Sequence, residues 1–398
     1  MARNIIVGID AGTSTIKIVV AEKKDDHALQ ILGAVQKHST GIRRGYVINL
    51  EEAIESIKIA LKNAEKIAGI PIKHAFVSIG GISLSSIKSK GTIMVARADG
   101  EVTEYDIKRA SDQCEANLPN ITNKQVIQEI PLHYKIDNNQ VFGRPVGMKG
   151  TKLEVETLYI TSLNQHLADL VKAVESAGVA VDDVVASPLA ASHSALTKHQ
   201  KEVGCVLANI GAGTVSIVVF EEDTPISLEV FPIGSTHITN DIALGLQIPL
   251  DEAEKIKIEY SASSPISKRK LNDIIEARLN DIFELIESHL KKINRNGLLP
   301  AGIILTGGGS GLFSLEDIAK ASLNLPAKVA APITLNNSGV KITGNYKDQV
   351  LNDPGWSVAL GLCMTEAEDH IDGRSGTGKG FFGGLKSGLK KLGRMFLP

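Results

Sequence analysis

At 398 residues, with a formal net charge of −2 and 43% hydrophobic content, the chain has the composition of a globular protein with room for about two to three domains. The near-zero charge argues against a general attraction to nucleic acid. Three scattered cysteines, Cys114, Cys205 and Cys363, form no CxxC pair, and Cys205 and Cys363 sit in apolar runs that read as core. This cysteine usage is compatible with a reducing cytoplasm; the start, MARNIIVGID, has no secretory pattern, and no run approaches the roughly 18 apolar residues of a membrane-spanning helix.

Ile5 to Val20, IIVGIDAGTSTIKIVV, reads as two buried β-branched strands around the turn Asp10 to Thr15. Leu29 to His38 is another strand-like run, followed by the turn Gly41 to Gly45. In Glu51 to Ala68, the residues Ala53, Ile54, Ile57, Ala60, Leu61, Ala64 and Ile67 recur at helical steps, and the predicted helix stops at Gly69-Ile70-Pro71. Ala75 to Gly80 reads as a strand. From Ser83 to about Thr161 the character changes to short strands (Thr92–Val95, Gln125–Ile130, Leu153–Tyr159) and one helix near Thr103 to Glu115. Thr103 is a candidate N-cap with Asp106 closing a weaker form of the capping box. Nothing in this block suggests catalysis, and it reads as an inserted unit for protein contact.

Asn164 to Ala177 is predicted helical, Val181 to Ser187 a strand, and Ser187-Pro188-Leu189-Ala190-Ala191-Ser192 the start of a small-residue helix with proline in its first turn. Val206 to Phe220, VLANIGAGTVSIVVF, repeats the opening hairpin pattern. Ile226 to Ile233 reads as a strand, and Thr239 to Leu246 and Asp251 to Tyr260 as helices. Ser264 to Lys270 is polar. Leu271 to Ile293 carries Ile274, Ile275, Leu279, Ile282, Phe283, Ile286 and Leu290 on one helical face. Gly302 to Leu305 runs as a strand into Thr306-Gly307-Gly308-Gly309-Ser310-Gly311, and a last helix covers about Ser357 to Ala367.

A Gly-Thr turn alone fits any tight hairpin. Gly12 also lets backbone approach a ligand, Thr13 and Ser14 offer hydroxyls and N–H groups, and Asp10 ends the first strand. That set suits a phosphate cradle with a nearby metal-organising acid. The echo at Val206 to Phe220 makes a two-sided clamp. The Gly-rich loop after Leu305 would let backbone reach a base or ribose without side-chain clash.

These three stretches, IVGIDAGTSTIK, NIGAGTVSIVVF and ILTGGGSGL, resemble the phosphate-1, phosphate-2 and adenosine motifs of the actin, sugar-kinase and DnaK-type superfamily. Within it, the chain resembles the bacterial cell-division FtsA family over essentially its whole length, including RPVGMKGTKLEV at 144–155, VVASPLAASHSAL at 184–196 and FPIGSTHITNDIALGLQIPLDEAEKIK at 231–257. The resemblance implies an α/β, two-lobed actin-like fold of duplicated ribonuclease-H-like halves, with an FtsA-type 1C insertion and a C-terminal amphipathic helix. Subdomain 1A would take 1–82 and 162–200, with 1C inserted at 83–161. Subdomain 2A would take 201–235 and, with the closing helix, 301–370, and 2B would take 236–300. A linker, 371–380, would lead to the terminal helix, 381–398.

For the site, the resemblance implies that Gly12, Thr13, Ser14 and Lys17 hold ATP phosphates from one lobe, with Asp10 near Mg2+ through water. Gly211, Ala212, Gly213 and Thr214 would hold them from the other. Gly307, Gly308, Gly309 and Ser310 would face the adenosine, and Glu254 and Lys257 the ribose or base. One departure stands out: the family's second hairpin usually reads Asp-x-Gly-Gly-Gly-Thr-x-Asp, whereas Asn209, Ala212 and Ser216 stand here. Asn209 can bond a metal-bound water but brings no charge, so weak or absent ATPase activity is expected. The implied partners are the FtsZ C-terminal peptide on about 236–300, further copies of the chain in filaments, and other division proteins on 1C, with no nucleic acid. The cluster Lys291, Lys292 and Arg295 is a candidate for the acidic peptide or simply a solvated face. A small-molecule kinase and a PilM-like pilus scaffold are the alternatives.

The tail, KGFFGGLKSGLKKLGRMFLP, places Phe381, Phe382, Leu385, Leu389, Leu392 and Phe396 on one helical face, with Lys386, Lys390, Lys391 and Arg394 largely off it. It contains no acid. This suits a helix lying in the interface of an anionic membrane, or otherwise a partner-binding or disordered tail. Its resemblance to the family's membrane-targeting helix implies the cytoplasmic face of the bacterial inner membrane, at the division site.

Overall fold

A computed structural model describes residues 4–24, 28–119, 122–259, 268–333 and 341–369. The tail and its predicted membrane-facing residues lie outside the described residues.

The first lobe begins with β1 (Asn4–Ala11), β2 (Thr15–Lys23) and β3 (Ala28–His38), then the ribbon β4 (Ile42–Arg43) and β5 (Tyr46–Val47), α1 (Leu50–Ala68) and β6 (His74–Ile79). Helix α1 forms where periodicity predicts it. Asn49 caps it by accepting from Glu52 N, and Gly69, at φ 69°, ends it in the left-handed region.

The insert follows: β7 (Ser85–Met94), α2 (Glu104–Ala116), β8 (Lys124–Ile136), β9 (Asn139–Val141) and β10 (Lys152–Leu163), in the antiparallel order β7-β10-β8-β9. Its three main strands are long, not short as expected. They alternate polar and apolar residues, so one face buries against α2 while the polar face dilutes the hydrophobic signal. Pro131 interrupts the reading but sits at a bulge in the β8–β10 register. Asp106 makes a complete capping box with Thr103, its carboxylate accepting from Thr103 N at 3.0 Å. The insert rests on the second lobe through Ser86, whose Oγ donates to Leu228 O and accepts from Leu228 N, both at 2.8 Å.

The chain returns through α3 (Asn164–Ser176), β11 (Ala180–Ala186), α4 (Ser187–Ala195) and α5 (Lys198–Val203). The second lobe holds β12 (Cys205–Ile210), β13 (Val215–Glu221), β14 (Thr224–Phe231), α6 (Ser235–Leu246), α7 (Leu250–Ile258), α8 (Lys268–Lys292), β15 (Ile303–Thr306), α9 (Leu315–Leu323) and β16 (Ala327–Val329). Last come β17 (Lys341–Thr343), α10 (Lys347–Leu351), a 3-10 turn (Pro354–Trp356) and α11 (Ser357–Asp369).

The two large sheets share one topology. The first runs β11-β6-β1-β2-β3-β17 and the second β14-β13-β12-β15-β16. In each, three consecutive strands pair antiparallel and two more join parallel beside the first of them. This is the ribonuclease-H-like arrangement, present twice, and the fold is the two-lobed actin-like α/β fold.

One assignment differs from the reading of 301–370 as a single second-lobe segment. Strand β17 pairs with β3, and α11 packs on β1, β2, β6 and α4, so residues 341–369 return to the first lobe. Close approach decides this: a Cβ on Gly361 of α11 would stand 1.8 Å from Ala190 O of α4. Helix α4 is small-residued because it is wedged between α11 and the β12–β13 face.

Candidate functional site

Each lobe presents its first hairpin to a common cleft of about 810 Å3. The turns are built alike. Gly12 N donates to Thr15 O at 3.1 Å, and Gly211 N donates to Thr214 O at 2.9 Å. The hairpins nearly meet, since a Cβ on Gly213 would lie 3.3 Å from the Thr13 side chain. Thr13 Oγ1 also accepts from Gly45 N at 3.1 Å, which ties its turn to the β4–β5 ribbon.

Helix α6 starts directly on the second turn. Ser235 N donates to Gly211 O and Thr236 N to Ala212 O, each at 2.9 Å. These bonds replace a side-chain cap, because Gly234 at the N-cap has none to give. The third loop packs behind the same hairpin: Gly309 N donates to Ile210 O at 2.8 Å. Gly307 sits at φ 92°, and a Cβ there would stand 2.2 Å from Asn209 Oδ1, so the position demands glycine.

The duplication aligns the polar residues of the two hairpins. In the first, Asp10 lies opposite Lys17; in the second, Asn209 lies opposite Ser216. The first pair is charged and the second neutral. Asp10 Oδ1 accepts from Ser78 Oγ at 2.7 Å. Burial pushes the Asp10 carboxyl above its ordinary range, against the pull of Ser78 and Lys17. Burial likewise pulls the Lys17 ammonium down, opposed by Asp10 and Asp353. From α7, Lys257 Nζ bridges Glu254 Oε2 at 2.7 Å and Thr239 Oγ1 at 2.9 Å, so these two predicted residues partly neutralise each other at the cleft wall.

The cleft is lined by Asp10, Gly12, Thr13, Ser14, Lys17, Asn209, Gly211, Ala212, Gly213, Thr214, Glu254, Lys257, Gly307, Gly308 and Gly309. Ser310 is different: it is buried, its hydroxyl donates to Gly307 O at 2.7 Å, and it shapes the loop from behind. Sequence reasoning missed Gln36, His38, Ser78, Asp353 and Gly355, which also line the cleft. Gln36 lies beside Lys17 in the β2–β3 register, so a correct pairing would have found it. Asp353-Pro354-Gly355 carried a turn signal but no hint of its place in space. The cationic candidate on the second lobe is largely committed internally: Lys291 pairs with Glu287 at 2.8 Å, and Arg295 Nη2 donates to Glu221 at 2.8 Å.

Two duplicated lobes closing on a cleft lined by glycine turns define the actin-like class of two-lobed proteins. Among solved structures, the chain resembles the PilM-PilN type IV pilus biogenesis complex at TM-score 0.68, with 18% identity over 91% of this chain and 98% of that one. It resembles MreB5 of Spiroplasma citri bound to ADP at TM-score 0.54, with 10% identity over 94% and 99%. Sequence narrows the class. The family model "Cell division protein FtsA" matches residues 206–361, and "SHS2 domain inserted in FTSA" matches 81–161. Cell division protein FtsA of Borreliella burgdorferi is 32% identical, covering 92% of each chain, and that of Pseudomonas aeruginosa 31% identical, covering 93% and 91%. The chain belongs to the FtsA family of cell division proteins.

Proposed function

We propose that this chain binds ATP between its lobes, polymerises on the cytoplasmic face of the bacterial inner membrane and anchors the FtsZ ring there. The observation that carries the reading is the pair of equivalent glycine turns, one per lobe, facing each other across the cleft. Exposed N–H groups in such turns suit phosphate oxygens. The third loop suits a ribose or base because Gly308 opens onto free space and Gly307 keeps the backbone bare, with Glu254 and Lys257 also lining the cleft.

Mg2+ fits this set in a limited way. No group of three or more His, Cys, Asp or Glu able to hold a metal stands among the described residues. A Mg2+ ion would therefore come with the phosphates and keep several waters, with Asp10 and Asp353 as the carboxylates at hand. When bound it would neutralise phosphate charge. Asn209 leaves the second hairpin without the carboxylate that would orient an attacking water, which supports nucleotide binding with weak hydrolysis.

The basic, acid-free tail supplies the membrane contact, and no helix among the described residues is long and apolar enough to cross a membrane. The FtsZ peptide is assigned to about 236–300 and other division proteins to the insert, which exposes Tyr105, Phe142 and Met148. Electron microscopy of the full chain on an anionic lipid monolayer with ATP and Mg2+ tests the whole. Filaments that require both ATP and residues 379–398 are expected. Their absence under all conditions refutes the proposal.

A further inference from the structure

Lys17 faces Asp10 across the first hairpin, and its ammonium runs to the floor of the cleft. There Nζ donates to Gly355 O at 2.6 Å and stands 5.7 Å from the centre of the Trp356 ring. Asp353 frames the contact: its Oδ1 accepts from Gly355 N at 2.7 Å, and its charge, with that of Asp10, acts on the ammonium. The same short strap is gripped from the other lobe. Pro354 O accepts from Thr306 Oγ1 at 3.1 Å and from Gly307 N at 3.3 Å, at the root of the third glycine loop. Residues 353–356 thus cross between the lobes with Lys17 fastening one side and the glycine loop the other.

We infer that the Gly355 carbonyl and ligand phosphate compete for the Lys17 ammonium, so that a polyphosphate enters the cleft by drawing Lys17 off the strap and loosening it. This rests on the nucleotide reading of the cleft. An ammonium on a four-carbon stem is a compact charge with rotatable donors, and it changes acceptor without backbone movement. A charged phosphate oxygen is a stronger acceptor than a neutral carbonyl, whereas an uncharged nucleoside has nothing to offer the cation. Lys17 therefore makes the strap respond to phosphate charge rather than to occupancy of the cleft. Gly355 is part of the device, since a Cβ there would stand 2.4 Å from Nζ and displace it.

The chain contains a single tryptophan, Trp356, and it is 2% exposed, so intrinsic emission reports this one place. The experiment titrates the full chain with ATP, ADP and adenosine, following heat by calorimetry and Trp356 emission in parallel. ATP and ADP are expected to shift the emission in step with binding, while adenosine, bound or not, leaves it unchanged. Gly355→Ala keeps Lys17 but moves its ammonium; it should begin at the ATP-bound emission of the unaltered chain and respond to ATP with less than half the change. ATP binding with unaltered emission overturns the competition and leaves the nucleotide reading standing. An equal shift with adenosine overturns it as well. No heat of ATP binding removes both.

Discussion

Asn209 occupies in the second lobe the place Asp10 holds in the first, two residues before the turn glycine and opposite the start of the partner strand. Its Oδ1 also sets the limit on Gly307. Asn209→Asp restores a charge where the attacking water would be oriented, and phosphate release in a colorimetric assay should rise by about tenfold or more. Fast turnover by the unaltered chain, unimproved by the substitution, would sink that reading. Gly307→Ala forces a positive φ on alanine and a clash at 2.2 Å with Asn209. It should lower stability by about 1–3 kcal/mol and weaken ATP binding, both visible in thermal melts with and without nucleotide.

At the scale of elements, α8 lies against the sheet of the second lobe through a buried face that includes Leu279, Ile282, Phe283 and Ile286, and His289 extends it. His289 Nε2 meets Ser227 Oγ on β14 at 2.8 Å, and Nδ1 lies 3.9 Å from Glu229. Burial, helped by Lys292, lowers the imidazole pKa to about 4, so the ring is neutral at pH 7 and its approach to Glu229 is not an ion pair there. The unfolded chain takes up a proton near pH 6.5 that the folded chain refuses until about 4. The stability contributed by neutral His289 is complete above about pH 6.5 and is lost as pH falls toward 4, by up to about 3 kcal/mol. In His289→Gln, the drop in melting temperature between pH 7 and pH 4.5 should be smaller than in the unaltered chain; an equal drop would assign the acid sensitivity elsewhere. The insert shows how element signals mislead in degree. Thr103 and Asp106 were readable as a cap, yet the sheet under α2 was underestimated because half of each strand is polar.

For the whole molecule, the proposed division of labour separates a cleft that holds nucleotide from a tail that holds membrane. Deleting 379–398, or replacing Phe382 and Leu389 by aspartate, should abolish co-sedimentation with anionic vesicles while ATP binding measured by calorimetry persists. Unchanged co-sedimentation would place membrane contact elsewhere.

The three glycine loops and the helix α1 were legible because each is local: a turn needs glycine at a given position, and an amphipathic face repeats every three to four residues. The duplication was legible because Val206 to Phe220 repeats Ile5 to Val20 in residue type. Burial behind a loop is not local, which is why Ser310 read like its glycine neighbours until its hydroxyl was found bonded to Gly307 O. Nor is the return of residues 341–369 to the first lobe, which rests on β17 finding the edge of β3 and on Gly361 admitting Ala190. The sequence by itself determined the glycine motifs, the repeated hairpin and most of the long elements, but not α5, α9, β16, β17 or α10. Only the tertiary structure decided that Lys17 bonds the strap 338 residues away, because packing brings that carbonyl within 2.6 Å and no periodicity encodes it.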